Sequence, residues 1–159
     1  IAARERAEEG WAGANFSEEL EPHERVLSPS DLGAHNWLHC RIGGIYFLDF
    51  EYFGWDDPAK LVCDFLLHPG MELDGRARES WINGVQVLYG QSALQRAAAM
   101  YGLIAVAWSL IVLNQFKKAD DVSRKMETAG LGRQDKILEK QLMKSKSMLT
   151  NVCFPSAPF

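Results

Sequence analysis

The chain has 159 residues, of which 47% are hydrophobic, 11% aromatic and 24% charged, a balance that excludes disordered, collagen-like and coiled-coil classes. That length suits one domain over residues 1–159 with a sizeable core. A formal charge of −4 argues against a general nucleic-acid binder, and three scattered cysteines make neither a disulfide framework nor a CxxC zinc site.

That cysteine usage fits a reducing, cytoplasmic compartment. Residues 1–116 carry 8 basic and 16 acidic side chains, net −8, whereas residues 117–159 carry 9 and 5, net +4. Two amphipathic surfaces of opposite sign are expected, the alternative being a metal or cation site in the acidic part and a solvated helix in the basic one.

In chain order, residues 1–13 read as the end of a helix broken by Gly10 and Gly13, and no secretory leader is visible. Residues 14–30 read as a polar loop punctuated by Pro22 and Pro29. Aromatic and β-branched residues over 37–50 predict a β-hairpin, with Gly43-Gly44 as a two-residue turn. A Gly- and Asp-rich loop follows. The Asp57-Pro58 pair then starts a helix over 59–67, since the carboxylate accepts from exposed N–H groups and Pro fits the first turn.

From Ser80 onward the pattern is helical. The 17 positions from Ala97 to Leu113 carry no charge, against the roughly 20 that a bilayer span needs. The central helix of a soluble bundle is therefore expected, with no membrane partner. Residues 133–149 repeat apolar side chains between lysines, as an amphipathic helix does, and the last residues, NVCFPSAPF, read as extended.

The chemistry concentrates between Ser28 and Asp64. Asp31 is followed five residues on by Asn36, and the hairpin returns the chain to Asp49 inside Leu-Asp-Phe-Glu. Three oxygen ligands can converge there, the arrangement a hard cation such as Mg²⁺ requires.

Asp-x4-Asn, followed after a short hairpin by Asp-Phe-Glu-Tyr and then Gly-Trp-Asp-Asp-Pro, resembles the catalytic and metal loops of the protein-kinase-like phosphotransferases. The spacings resemble the aminoglycoside phosphotransferase and choline kinase branch. The resemblance covers residues 24–70 by motif. It implies an α+β, mainly α fold: the helical C-terminal lobe of the kinase-like architecture, with a small β-hairpin carrying the loops. It implies an ATP- and Mg²⁺-dependent transfer of phosphoryl to a hydroxyl of a small molecule. Asp31 is then the catalytic aspartate that takes the hydroxyl proton, and Asn36 and Asp49 hold the metal. Asp57 is the structural aspartate that supports the loops.

The chain departs from that family in two places. Pro29-Ser30 stands where His-Gly usually precedes the catalytic Asp. No Gly-rich phosphate loop and no strand lysine precede Asp31, so the chain is read as a C-terminal lobe alone. Its expected partners are ATP, the acceptor, and the N-terminal nucleotide-clamping lobe or a homodimer mate. By itself the chain is expected to be inactive. The alternative from another class is a non-catalytic, kinase-derived binding or regulatory module.

Other candidates carry less. Trp55, beside the metal loop, is a candidate wall of the acceptor pocket for a cationic substrate, or else core. His35 and His39 are read as structural, because four strand residues span about 13 Å and cannot share an ion. His68, before Pro69-Gly70, reads as a helix C-cap, the alternative being a helix end near the substrate side; Cys63 reads as inert core, and Asp56 as a solvated neighbour of Asp57.

Overall fold

The structure is a computed structural model that describes residues 19–123 and 131–153, with side chains described for 19–114 and 136–150. The helix end expected in residues 1–13 and the tail beyond Cys153 lie outside the described residues. The fold is α+β and mainly helical: 64% of the described residues are in helix, and among them are two small antiparallel strand pairs.

Three helices make the base. Helix α1 (Pro58–Leu67) starts as the sequence requires: Asp57 accepts from the Ala59 N–H at 2.7 Å, and Pro58 occupies the first turn. Eight of its ten residues are buried, so it is a core helix rather than a surface one. Helix α2 (Gly75–Ser123) packs on α1, and Val62, Cys63 and Leu66 meet Val85, Leu94 and Ala97 in the core. Helix α3 (Leu131–Cys153) packs on α2, where the Ser145 hydroxyl donates to the Ser109 carbonyl at 3.3 Å. The helical reading of the amphipathic segment holds, and it extends through Asn151–Cys153, which were expected to be extended.

Helix α2 differs from the uninterrupted reading at Gly90, where φ is 78° and ψ is 177°. Without a Cβ, glycine takes that turn at no steric cost, and the helix bends there. Gly75–Asn114 contains a window of mean hydropathy 1.8, and by length and composition it is long and apolar enough to cross a membrane. In the fold that same helix is what α1 and α3 pack against.

The β layer is thin. Strand β1 (Val26–Ser28) pairs antiparallel with β4 (Gly54–Asp56), and β2 (Trp37–His39) with β3 (Ile45–Phe47). The hairpin was legible, but its connection runs over Cys40–Gly44, with Gly43 and Gly44 at φ 96° and 95°. The β1–β4 pair was missed, because residues 14–30 read as loop. A three-residue strand offers too little period-two pattern to stand out.

Aromatic rings join the layers. Trp37 on β2 stacks near Phe65 on α1, with centroids 6.3 Å apart, and Phe65 stacks on Trp81 of α2 at 4.0 Å. Asp57 adds a polar tie, since its two oxygens accept from the Arg96 guanidinium at 3.2 and 3.3 Å.

Candidate functional site

The site lies where the loop after β1 meets the C-terminus of α1. Ser30 takes φ 61°, a conformation uncommon for a residue other than glycine. Two side-chain bonds hold it: the Ser30 N–H donates to Ser28 Oγ at 3.1 Å, and Ser30 Oγ donates to the Tyr52 carbonyl at 3.2 Å. Serines thus shape the loop that leads into Asp31.

Asp31 follows. Its Oδ1 accepts from the Gly33 N–H at 3.1 Å and lies 3.1 Å from His68 Nε2. Its Oδ2 lies 3.4 Å from Nε2 of His35, a half-exposed ring. One carboxylate oxygen is therefore anchored twice, and the other has a single neighbour that can move away.

Asn36 knits the two loops together. It is buried, its Nδ2 donates to the Asp31 carbonyl at 3.3 Å, and its own carbonyl accepts from the Leu48 N–H at 2.8 Å. With its amide nitrogen committed, Asn36 keeps Oδ1 as a spare acceptor. Asp49 comes next after Leu48, exposed, with φ 60°. Asp31, Asn36 and Leu48, the residue before Asp49, are thus one hydrogen-bonded unit, although 17 positions separate its ends in the chain.

The contacts of two imidazoles with Asp31 were not read from the sequence. His35 sits in a 3-10 turn (Ala34–Asn36), off the strand, and stacks on His68 with ring centroids 5.4 Å apart. His68 does cap α1, yet it is also buried and reaches Asp31. An imidazole 37 positions downstream gives no local signal; only the fold brings it there.

Asp31, His35 and His68 place three donor atoms within 4.8 Å of one another. Two imidazoles and one carboxylate do not suit Mg²⁺, which prefers oxygen. His68 is further disqualified as a ligand. Its Nδ1 accepts from the Gly70 N–H at 3.0 Å, so in the neutral ring Nε2 carries the hydrogen and has no lone pair to give. Burial holds its pKa below the usual imidazole value, with the Asp31 charge opposing.

A cavity of about 480 Å³ opens beside Asp31, with Tyr52, Lys60, Asp64, Ile104, Trp108 and Ile111 in its wall. Trp108 Nε1 donates to Asp64 Oδ1 at 3.0 Å, and Lys60 Nζ lies 2.8 Å from Asp64 Oδ2. Burial raises the Asp64 pKa, and the bonds from Lys60 and Trp108 partly offset this. For Lys60, burial disfavours the charge, but Asp64 and Asp56 more than compensate and raise its pKa.

Trp55 does not line this cavity. It stands on β4 opposite Leu27, 67% exposed, and is neither pocket wall nor core. Trp108 holds the wall position instead. Asp56 is likewise not a free solvated group, because Lys60 Nζ lies 2.9 Å from it. Cys63 is core, its thiol donating to the Ala97 carbonyl and its pKa pushed up by burial.

Compared with protein-family models, with curated proteins and with solved structures, the chain gives no match.

Proposed function

We infer that the chain is the acceptor side of a small-molecule phosphotransferase that uses ATP and Mg²⁺. The observation that carries this reading is the Asp31–Asn36–Leu48 hydrogen-bonded unit, which holds Asp31 and Asn36 together and ties them to the residue before Asp49. A further support is the φ of 61° at Ser30, a glycine-like conformation where the His-Gly-Asp motif carries glycine.

In this reading Oδ2 of Asp31 accepts the proton of the acceptor hydroxyl. The hydroxyl oxygen bonds to the γ-phosphorus of ATP, and the bond from that phosphorus to the ADP oxygen breaks. Asn36 Oδ1 and the Asp49 carboxylate suit a hard cation and would hold Mg²⁺, which supplies neutralisation of phosphate charge when bound. Asp57 holds α1 and, through Arg96, fixes it to α2 beneath the loops.

The cavity wall narrows the acceptor. Ile104, Ala107, Ile111 and Trp108 give an apolar side, and Lys60 already balances Asp64. An alcohol with an apolar body fits this wall better than an aminoglycoside polycation. We place the nucleotide-clamping lobe over the outer face of the β2–β3 hairpin, where the paired Leu38 and Tyr46 are 56% and 61% exposed.

The test is Mn²⁺ titration of the isotope-labelled chain. Weak binding, on the order of millimolar, is expected for so few protein ligands, with amide broadening centred on residues 31, 36 and 49. Asp49→Ala should abolish the broadening, and ATP should tighten the binding. Broadening centred elsewhere, or unchanged in Asp49→Ala, overturns the assignment.

A further inference from the structure

We propose that His68 is a positioning residue for Asp31: its Nε2–H fixes Oδ1 of the carboxylate, so that Oδ2 is the oxygen presented to the acceptor. This deepens the phosphotransferase reading and rests on it for its catalytic meaning.

Both ring nitrogens of His68 are assigned by their neighbours. The Gly70 N–H donates to Nδ1 at 3.0 Å, which leaves Nε2 as the donor to Asp31 Oδ1 at 3.1 Å. A doubly protonated ring would set its Nδ1–H against the Gly70 N–H, so the geometry selects the neutral Nε2–H form.

The ring is also boxed in. Trp108 meets it edge-on at 4.8 Å between centroids, and His35 stacks on its other side at 5.4 Å. A Cβ on Gly33 would collide with Cε1 of both imidazoles, and one on Gly70 would lie 3.0 Å from His68 Cε1. Gly33 has φ −62°, which any residue adopts, so only space restricts that position. The ring is 6% exposed. An imidazole so enclosed, with each nitrogen committed, has one orientation, and it transmits that orientation to the carboxylate.

The Gly33 N–H alone would leave Oδ1 with a single donor from its own loop, able to move with that loop. His68 ties the same oxygen to the end of α1, and so to the helical base. The titratable groups facing His68 are Asp31, His35 and Asp64.

The experiment is NMR on the chain itself, comparing wild type with His68→Leu and His68→Gln. Three-bond couplings to the Asp31 carboxyl carbon report its χ1 populations, and long-range ¹H–¹⁵N spectra of the wild type report the His68 tautomer. One Asp31 rotamer and an Nε2–H His68 are expected in the wild type. His68→Leu fills the box without a donor and should give averaged couplings. His68→Gln restores an N–H near the Nε2 position and should return the single rotamer.

If Asp31 keeps one rotamer in His68→Leu, or if Gln fails to restore it, the proposal falls. Should the Leu variant not fold, an Nδ1–H tautomer in the wild type overturns the proposal equally, and an Nε2–H tautomer with rescue in Gln sustains it. None of these readouts uses metal or nucleotide. A failed Mn²⁺ titration beside a positive rotamer result therefore removes the phosphotransferase reading and leaves the His68–Asp31 contact standing.

Discussion

The helical base and the β layer are held together by different forces. In the base, α1 buries eight of ten residues against α2, and removal of apolar surface from water does most of the work. In the β layer no side chain of β3 is buried, and its buried residues are Ser28, Gly33 and Asn36. Hydrogen bonds between side chains and backbone order that layer, and contacts to α1 hold it in place. The precision of that layer comes from polar contacts anchored on a packed floor.

The sharpest way to break this contrast is truncation on each side. Leu66→Ala removes a side chain only 3% exposed and should cost about 2–5 kcal/mol in urea unfolding. Leu38→Ala, at 56% exposure on β2, should cost no more than about 0.5 kcal/mol. Equal losses would show that the β layer has a packed core after all.

Next in size is Gly33→Ala. The added methyl must displace His35 and His68, and overpacking of this kind costs roughly 1–3 kcal/mol. Amide shifts centred on residues 31, 35 and 68 should accompany the loss. A silent Gly33→Ala spectrum would mean that the imidazoles have room to move.

Asp57→Ala tests the joint between the two regions. Loss of the cap alone should cost about 1 kcal/mol, and loss of the Arg96 contact adds to it. A double-mutant cycle with Arg96→Ala should give a coupling near 0.5–1 kcal/mol. Additive losses would mean that the guanidinium contributes nothing through Asp57.

The smallest effect concerns pH. Burial in the folded state lowers the His68 pKa below the usual imidazole value of 6.5, so the unfolded chain protonates first as pH falls. The stabilising contribution of a neutral His68 is complete above pH 6.5 and is lost as pH drops below it. Comparing the stability of wild type and His68→Gln between pH 7 and about 5 should show the gap narrow as the medium acidifies. A constant gap would mean that His68 titrates as it does in the unfolded chain.

What the sequence reveals divides along the same line. The base is legible because burial leaves a periodic apolar pattern and a cap leaves Asp57-Pro58. Gly90 escapes, since one glycine in a long apolar helix reads as tolerated until the backbone shows φ 78°. Asp31, Asn36 and Asp49 are legible as a spacing motif; the structure joins the first two directly, and the third follows Leu48, whose N–H bonds to Asn36. His68 and Trp108 are not legible, because their roles depend on how α1 and α2 pack. Trp55 misleads for the converse reason: proximity in sequence to Asp49 does not place it at the cavity, because β4 pairs with β1 and presents it outward.

The short β1–β4 ladder has a consequence for the order in which the molecule assembles. Its two strands, three residues each, close a loop over residues 29–53 that contains Asp31, Asn36 and Asp49. The contacts of α1 with the start of α2 are nearer in sequence and bury far more apolar surface, so they form first, and the loop entropy is offset only afterwards. Asp31 then reaches its partners on a scaffold already in place, and in reverse the site is the first part to open while the helices persist. Hydrogen exchange would register this as a separate, less protected unit, a locally unfolding cap whose opening leaves the helical base intact.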